Sequence, residues 1–390
     1  MSKVSSLFQS ISHPSEISAL VQFIFCTPKN KLEIKPENKK KIRCYEFLDQ
    51  TSRSFAAVIR QLDDPVRDAD GLLRDVSGPL EKDRQLLVEF DVVIDEFLSL
   101  RKEFRDIIAD ATNEMGNGMA DYAKDGAHTN GASIKTLKDF DMYCYYAAGL
   151  PGLITTRLFV ASSLESSDLA NDTNLSINLG LYYQKTTIIR DYLEDHLYGR
   201  KFWPEEIWSI YVKDSSDLKE PGYETEALDC LSSMILNILN HVPGNLTYMN
   251  MLQNKSTFRL CAIPQMCAFA TLSKTFRNYD TFQKTVKIRR GEAAKCTSIH
   301  DLANFYLEYT RVIISKNDRK DPNFMKIRAA CEKIEQWCAT NLPATKVYNK
   351  PLKNDWFNQE NDLLLFFGFS LLAFTANLLY FYNWEHFRYD

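Results

Sequence analysis

Residues 186–195 constrain the fold most strongly, because they concentrate negative charge on one face of a helix. The segment reads Thr-Thr-Ile-Ile-Arg-Asp-Tyr-Leu-Glu-Asp, so Asp191, Glu194 and Asp195 are spaced i, i+3 and i+4. In a helix, side chains at these spacings are neighbours, with Cβ atoms about 5–6 Å apart. These three carboxylates, here called the acidic face, repel one another unless solvent or a cation neutralises them.

Two interpretations of the acidic face remain open. The polar stripe continues back through Thr187 and Gln184, on a helix whose other positions are largely apolar. In the first interpretation the face lies in solvent and Arg190 partly neutralises it, although exposed pairs contribute only about 0.3–0.5 kcal/mol. In the second, the face points inward and binds Mg²⁺, which takes one or two protein carboxylates and completes its octahedron with water and substrate phosphates.

The residues that follow favour the second interpretation. Gly199 suits the position just after a helix, and Pro204 suits the first turn of the next one. The run 184–195, with Gly-Arg at 199–200 and Phe-Trp-Pro at 202–204, closely resembles the second aspartate-rich motif of squalene synthases. The resemblance implies an Mg²⁺ site made of Asp191, Glu194 and Asp195. It also implies contacts with the substrate diphosphate from Gln184, Arg190 and Arg200.

Long helical periods dominate the rest of the chain. Apolar residues recur at spacings of three and four over residues 93–119 and 228–242, as in amphipathic helices packed on a core. The sequence has no Gly-x-Gly-x-x-Gly after a strand, no Walker loop and no His-Glu-x-x-His motif. We therefore predict an all-α bundle with a central cavity. The family resemblance covers about residues 40–340 and implies the isoprenoid-synthase fold.

Composition restricts the class of protein. The 390 residues, 45% of them hydrophobic, are enough for a large core, and the net charge of −4 offers no basis for nucleic-acid binding. The nine cysteines are scattered, odd in number and without a Cys-x-x-Cys pair. They predict reduced thiols in a protein that faces the cytosol. The N-terminus lacks the pattern of a cleaved signal peptide, so none is predicted.

Two other segments resemble squalene synthase motifs that contact the substrate. Residues 51–56 read Thr-Ser-Arg-Ser-Phe-Ala, and residues 257–265 read Thr-Phe-Arg-Leu-Cys-Ala-Ile-Pro-Gln. Taken alone, Arg53 is a surface charge, but by the resemblance it reaches the diphosphate, a bidentate task that suits arginine. The resemblance implies the following substrate contacts: Ser52, Arg53, Phe55, Phe258, Pro264 and Gln265.

Two more segments allow both an ordinary and a specific interpretation. Residues 143–146 read Tyr-Cys-Tyr-Tyr, which on an apolar helix usually serves packing, but the resemblance makes Tyr143 the catalytic tyrosine of the first half-reaction. Residues 287–292 read Lys-Ile-Arg-Arg-Gly-Glu, a cluster that in isolation is more often a solvated face. The resemblance implies that this run binds the phosphate of NADPH through Lys287, Arg289 and Arg290.

Departures from the family pattern bear on activity. The first aspartate-rich motif, Asp-x-x-Glu-Asp, is missing, and we infer a deletion of several dozen residues near residues 67–77, real or introduced by the gene model. Asp64 and Asp68 are no substitute, because Pro65 would interrupt a helix there at a cost of about 3 kcal/mol. Smaller departures are Tyr145 for a histidine, Pro151 for a valine, Tyr183 for a leucine, Thr187 for an asparagine and Leu260 for an aromatic residue. Pro151 should also kink or end its helix.

The C-terminal region predicts a membrane anchor. Residues 363–382 carry no formal charge, and about 20 apolar residues span a bilayer core. Aromatic residues at 380, 382 and 384 crowd one end, as at a membrane interface, and a buried core helix is the alternative. We predict a polar linker at 341–362 followed by a tail anchor in the endoplasmic reticulum membrane, which is the location that the resemblance implies. The catalytic domain, residues 1–340, then faces the cytosol.

The family reaction joins two farnesyl diphosphates head to head and reduces presqualene diphosphate to squalene, a precursor of sterols such as ergosterol. The resemblance therefore implies farnesyl diphosphate as substrate and Mg²⁺ and NADPH as cofactors, and a monomer is favoured.

Three functions remain open: an active squalene synthase, an impaired copy kept as a tail-anchored diphosphate-binding or scaffold protein, and a phytoene-type prenyltransferase. The anchor and the Phe-Trp-Pro run favour squalene synthase over the third. With one acidic motif left, we expect greatly reduced turnover.

Overall fold

The computed structural model describes residues 100–124, 134–197, 199–284, 286, 296 and 298–342. Within these residues every regular element is helical, which confirms the predicted all-α class. The α-helices are α1 (Lys102–Lys124), α2 (Leu137–Cys144), α3 (Leu150–Ala161), α4 (Thr173–Arg190), α5 (Tyr192–Leu197), α6 (Glu205–Trp208), α7 (Glu224–Leu239), α8 (Val242–Met251), α9 (Lys255–Thr275), α10 (Ile299–Lys316) and α11 (Phe324–Asn341). A π-helix spans Tyr145–Gly149, and short 3₁₀ helices span Ser167–Ala170, Ser215–Lys219 and Tyr279–Phe282.

Several sequence predictions fall outside the described residues. They are the substrate contacts Ser52, Arg53 and Phe55, the cofactor contacts Lys287, Arg289 and Arg290, the deletion near 67–77 and the anchor at 363–382. None of the helices that the structure does describe has the length and apolar character needed to cross a bilayer.

Helix α4 lies at the centre of the bundle. It begins after Asp172, whose side chain accepts a hydrogen bond from the Asn174 backbone N–H at 3.0 Å. The helix contacts α2, the π-helix, α3, α7, α8 and α9. It is therefore enclosed around most of its circumference, and even its polar side chains Gln184, Lys185 and Thr186 are buried. The charge of Lys185 must therefore be compensated inside the bundle.

Glycine residues let the backbones of the π-helix and α3 lie in direct contact with the backbone of α4. A Cβ atom added at Gly180 would overlap the carbonyl oxygen of Ala148, and one added at Gly152 would lie 2.5 Å from the carbonyl oxygen of Ser176. Only glycine, which has no Cβ atom, permits backbones to come this close. The position of the π-helix against α4 is therefore set by Gly180.

The change of helix type before α3 follows from Pro151. Proline has no backbone N–H, so the usual bond from residue 151 to the carbonyl of Ala147 cannot form. The hydrogen-bonded turn contains one extra residue here, because the Leu150 N–H donates to the carbonyl of Tyr145. Pro151 then occupies the first turn of α3, where its missing N–H is not needed. Pro151 thus coincides with a change of helix type but does not end the helical run, which continues from Leu137 to Ala161, and the predicted kink stays a prediction.

Replacement of Gly180 by alanine should lower the free energy of unfolding by about 3 kcal/mol or more, because the new methyl group meets the Ala148 carbonyl. Alanine is the better helix former by about 1 kcal/mol, so a net loss reports the clash. Urea unfolding of the variant and the parent protein measures the difference.

Gly222→Ala is the matched control. An added Cβ atom there meets nothing within 4 Å, and only the φ of +95° opposes the substitution, which should cost about 1–2 kcal/mol. Equal losses at the two positions would contradict the backbone contact between α4 and the π-helix.

Candidate active site

The acidic face lies where α4 ends and α5 begins. Helix α4 ends at Arg190, Asp191 follows with φ −97° and ψ 12°, and α5 starts at Tyr192. The continuous helix expected from the sequence is therefore interrupted at Asp191. The hydrogen-bond ladder nevertheless continues, since the Asp191 N–H donates to the Thr187 carbonyl at 2.9 Å and the Asp195 N–H donates to the Asp191 carbonyl at 2.8 Å. Asp191 and Asp195 thus remain one helical turn apart.

The three carboxylates of the acidic face differ in burial. The side chain of Asp191 is 20% exposed, that of Asp195 is 6% exposed, and Glu194 is exposed. Within the part of the chain that the structure describes, no three His, Cys, Asp or Glu side chains are grouped so that they could hold a metal ion. The predicted Mg²⁺ site is therefore not assembled from all three carboxylates, because Glu194 points to solvent while Asp195 lies inside the protein.

Asp195 forms a buried ion pair with Arg200. The Arg200 Nη2 atom lies 2.8 Å from Asp195 Oδ1, and the guanidinium side chain is only 3% exposed. The backbone also ties the two residues, because the Arg200 N–H donates to the Asp195 carbonyl at 2.8 Å. Burial raises the pKa of the Asp195 carboxyl well above its usual value, Arg200 lowers it, and the charges of Asp191 and Glu194 raise it further.

Asp191 forms a second ion pair, with its neighbour Arg190. The Arg190 Nε and Nη2 atoms each donate to one Asp191 carboxylate oxygen at 2.7 Å, a bidentate contact. The Arg190 side chain remains 40% exposed. The negative charge of Asp191 raises the pKa of Arg190 above its usual value. The two aspartates predicted to bind metal are therefore each paired with an arginine predicted to bind diphosphate.

Tyr143 lies beside the buried ion pair. It is fully buried, its ring stacks on Phe202 with centroids 5.2 Å apart, and it meets Tyr122 edge-on at 5.4 Å. The Arg200 guanidinium lies 5.9 Å from the centre of the Phe202 ring. Burial raises the pKa of the Tyr143 phenol well above its usual value, and among the nearby charges Asp195 raises it while Arg200 lowers it. Residues more than 50 positions apart in the sequence thus meet in one cluster.

Four other predicted substrate contacts lie on α4 and α9, which pack against each other. Gln184 is buried on α4, and Phe258, Pro264 and Gln265 are buried on α9. The Gln265 Oε1 atom accepts a hydrogen bond from the Tyr306 hydroxyl at 2.7 Å, so that side chain is fixed in the bundle interior. The substrate contacts predicted for these four residues stay predictions.

Sequence reasoning missed Lys185, a lysine inside the bundle. Its side chain is 1% exposed, and its Nζ atom lies 2.5 Å from Asp141 Oδ1, 2.7 Å from Asn237 Oδ1 and 2.8 Å from His241 Nε2. An ammonium group has three donors, and three acceptors surround this one. The signal was available in the sequence, because Lys185 adjoins the polar stripe on a helix whose other positions are largely apolar.

His241 takes part in this network in its neutral form. Burial and the charge of Lys185 lower the pKa of His241 to about 3. Its Nε2 atom therefore accepts from Lys185, which leaves its Nδ1–H to donate to Asn178 Oδ1 at 2.6 Å. Because Asp141 lies on α2 two residues before Tyr143, the network ties the helix that carries Tyr143 to α4.

Asp191 and Asp195 together fit one side of an Mg²⁺ site. Mg²⁺ prefers one or two protein carboxylates and keeps its remaining positions for water and phosphate oxygens. Asp195 Oδ1 is buried and accepts no hydrogen bond of good geometry from the described residues, although Arg200 lies close to it. These two aspartates supply hard oxygen donors one turn apart, and Arg190 and Arg200 lie beside them to meet an anion.

Comparisons with known proteins agree on one family. The family model described as squalene/phytoene synthase matches residues 69–292. The chain is 43% identical to the squalene synthase of Schizosaccharomyces pombe, covering 79% of this chain and 76% of that protein. It is 36% identical to the squalene synthase of Yarrowia lipolytica, covering 85% of this chain and 84% of that protein. A solved structure described as "The complex structure of TcSQS with ligand, BPH1237" has a TM-score of 0.65 at 28% identity, covering 86% of this chain and 98% of that one.

The alignments also contain positions that this chain lacks. The match to the S. pombe protein spans 350 positions, whereas 79% of 390 residues is about 308, so about 42 positions have no counterpart here. The match to the Y. lipolytica protein spans 376 positions, whereas 85% of 390 is about 332, which leaves about 44. The deletion predicted near residues 67–77 stays a prediction.

The neutral state of His241 predicts a pH dependence of stability. Below pH 6.5 an unfolded chain protonates this histidine, while the folded protein keeps it neutral down to about pH 3. The unfolded state then binds more protons, so stability falls as the pH decreases through this window, by at most about 1.4 kcal/mol per pH unit. Urea unfolding at pH 7, 6, 5 and 4 should therefore show a shallower decline for His241→Gln than for the parent protein.

The exposed His300 provides the control. His300→Gln removes an imidazole without touching the Lys185 network and should keep the parent slope. If His241→Gln also keeps that slope, the folded protein does not hold His241 neutral, and the network described above is wrong.

Proposed function

This chain belongs to the squalene synthase family, and we propose that its reaction takes place around Tyr143 and the acidic face. Its function is that of a squalene synthase in sterol biosynthesis, a prenyltransferase-type enzyme that acts on farnesyl diphosphate. The observation that supports this location is the packing of Tyr143, Phe202 and the Arg200–Asp195 pair into one cluster.

The charged residues of the cluster suit departure of a diphosphate. Mg²⁺ bound to Asp191 and Asp195 would supply Lewis-acid stabilisation of the negative charge that develops on the leaving group. Arg190 and Arg200 are placed to bind the diphosphate itself, because the planar guanidinium pairs with phosphate oxygens through two parallel hydrogen bonds. Preorganised cations of this kind stabilise developing charge most strongly where water is excluded.

Tyr143 acts on the departing group, and the apolar side chains around it exclude water. Burial keeps the phenol of Tyr143 protonated, so its O–H can donate a hydrogen bond to the departing group. The stacked Phe202 ring and the buried helices around it keep water from reactive cations. Gln184, Phe258, Pro264 and Gln265 complete the proposed substrate contacts on α4 and α9, and Ser52, Arg53 and Phe55 belong to the same set.

Cofactors and location complete the proposal. The family resemblance supports Mg²⁺ and NADPH, with NADPH bound through Lys287, Arg289 and Arg290. Residues 363–382 support a tail anchor in the endoplasmic reticulum membrane behind a linker at 341–362. The catalytic domain, residues 1–340, then faces the cytosol as a monomer.

A second candidate function is an impaired squalene synthase that binds diphosphate at the membrane with little turnover. The specific observation in its favour is the set of about 42–44 relative positions that lack a counterpart here. Two facing metal clusters normally ionise the donor, and the first aspartate-rich motif is missing from the sequence. A phytoene-type enzyme is less well supported, because the relatives above are squalene synthases.

An assay with farnesyl diphosphate, Mg²⁺ and NADPH tests the turnover. We expect squalene formation far below that of the S. pombe enzyme measured alongside, because only one acidic motif remains to hold metal. Insertion of the S. pombe segment aligned with the gap should raise the rate. Squalene formation by the unaltered chain at the rate of the relative would exclude the impaired copy.

Asp191→Asn tests the metal site without requiring turnover. The variant should lose Mg²⁺-dependent binding of a non-hydrolysable farnesyl diphosphate analogue in isothermal titration calorimetry, because a neutral amide is a poor Mg²⁺ ligand. Asp172→Asn is the matched control, since it changes an exposed aspartate at the other end of α4 and asparagine caps helices as well as aspartate does. Unchanged binding by Asp191→Asn would place the metal elsewhere.

A further inference from the structure

A hydrogen-bond relay crosses the bundle from Lys185 to Gln265. The Lys185 Nζ atom lies 2.8 Å from His241 Nε2, and His241 Nδ1 lies 2.6 Å from Asn178 Oδ1. Asn178 Nδ2 lies 2.6 Å from Asn245 Oδ1, and Asn245 Nδ2 lies 3.4 Å from Gln265 Oε1. Asn245 and Gln265 are fully buried. These five residues, here called the relay, connect α4 with α8 and α9.

The direction of the relay is fixed at its Lys185 end. An ammonium group only donates, so His241 Nε2 accepts from Lys185 and the Nδ1–H of His241 donates to Asn178 Oδ1. The Asn178 Nδ2 group is fixed a second time, because it also lies 2.8 Å from the backbone carbonyl oxygen of His241. Its donation to Asn245 Oδ1 leaves Asn245 Nδ2 to donate to Gln265. The Gln265 atom that faces Asn245 is therefore Oε1, since a reversed carboxamide would set two N–H groups against each other.

This direction makes the Gln265 Nε2 group a buried donor. Gln265 Oε1 accepts from Asn245 Nδ2 and from the Tyr306 hydroxyl, which lies 2.7 Å away. The Nε2 atom is buried and has no hydrogen-bond partner among the described residues. Buried N–H groups in proteins are normally bonded, because an unmet donor is costly. The relay therefore keeps a donor ready for an acceptor that the described side chains do not supply.

We propose that Asn178 and Asn245 are positioning residues that hold the Gln265 carboxamide so that its Nε2 group donates to an oxygen acceptor bound in the bundle interior. Two sources present the same lone pairs, namely a phosphate oxygen of the proposed substrate and a buried water molecule. The orientation of Gln265 is independent of the proposed function. Only the phosphate source rests on that function, in which Gln265 contacts the substrate.

Neutron diffraction from crystals of the full chain in D₂O tests the orientation directly. Deuterium scatters neutrons strongly, so the map distinguishes a carboxamide nitrogen from its oxygen. We expect deuterium on His241 Nδ1 and not on Nε2, and a Gln265 Nε2 group turned away from Asn245. An oxygen of D₂O or of a ligand should lie within about 3.2 Å of Nε2. A Gln265 Nε2 group bonded to Asn245, to Tyr306 or to any other residue of the chain would overturn the proposal.

Asn245→Asp should reverse the Gln265 carboxamide. The introduced carboxylate still accepts from Asn178 Nδ2, but its second oxygen replaces the donor that faced Gln265. The Gln265 Nε2 group should therefore turn toward position 245, at a pD where the map shows no deuterium on the introduced carboxyl group. An unchanged carboxamide under that condition would contradict the relay. If circular dichroism shows that this variant does not fold, the parent map alone decides.

Asn237→Asp is the matched control. Asn237 Oδ1 accepts from Lys185 Nζ at 2.7 Å but lies outside the relay. The substitution adds the same negative charge to the same buried network without changing a donor between Lys185 and Gln265. Gln265 should therefore keep the parent orientation, and a reversal in this variant would show that charge, rather than the order of donors, sets the carboxamide.

Calorimetric titration with the non-hydrolysable farnesyl diphosphate analogue and Mg²⁺ separates the two sources. If a phosphate oxygen is the acceptor, Asn245→Asp should bind the analogue at least about tenfold more weakly than Asn237→Asp, because hydrogen bonds to charged groups are strong. If water is the acceptor, the two variants should bind equally and the parent map should show D₂O on Nε2. Equal binding with no oxygen at Nε2 would overturn the proposal.

The relay and the proposed function can fail separately. The map of the ligand-free chain needs no substrate, so a wrong orientation of Gln265 leaves the metal site untouched. Unchanged analogue binding by Asp191→Asn would displace the proposed metal site, while the ligand-free map would still support the relay if the Gln265 Nε2 group is bonded to water.

Discussion

The fold depends on how the charged side chains buried on and beside α4 are neutralised inside the bundle. An unpaired charge buried in a protein costs several kcal/mol, and two buried charges, one on α4 and one on α5, both have partners. Lys185 lies among Asp141, Asn237 and His241, and Asp195 lies against Arg200. These pairings hold the helices that surround α4, and the second pairing also defines the place where metal and diphosphate are proposed to bind.

Close packing then decides which side chains meet the acidic face. Gly180 allows the π-helix to lie against the backbone of α4, and the Lys185–Asp141 contact holds α2 from another side. Tyr143, near the end of α2, is thereby fixed against Phe202 from the loop after α5. The cluster around Tyr143 is thus a consequence of backbone packing and of a buried ion pair, and not of contacts within one sequence motif.

The sequence predicted the helical class and the one-turn spacing of Asp191 and Asp195, because both depend on spacing along a helix, but it did not predict that Glu194 would point to solvent. It did not predict the break at Asp191, where Arg190 forms its bidentate contact. It also missed Lys185, whose three acceptors come from α2, α7 and the residue before α8. Periodicity places a side chain on a face but cannot identify what packs there from distant segments.

The central claim is that Asp191 and Asp195, and not the outward Glu194, hold the metal beside Tyr143. Anomalous X-ray diffraction from crystals grown with Mn²⁺ and inorganic pyrophosphate tests it most directly. The account predicts an anomalous peak within coordination distance of both aspartate side chains, with the Arg200 guanidinium turned toward pyrophosphate. A peak on the solvent side at Glu194, or Arg200 still paired with Asp195 and no peak between the aspartates, would contradict it.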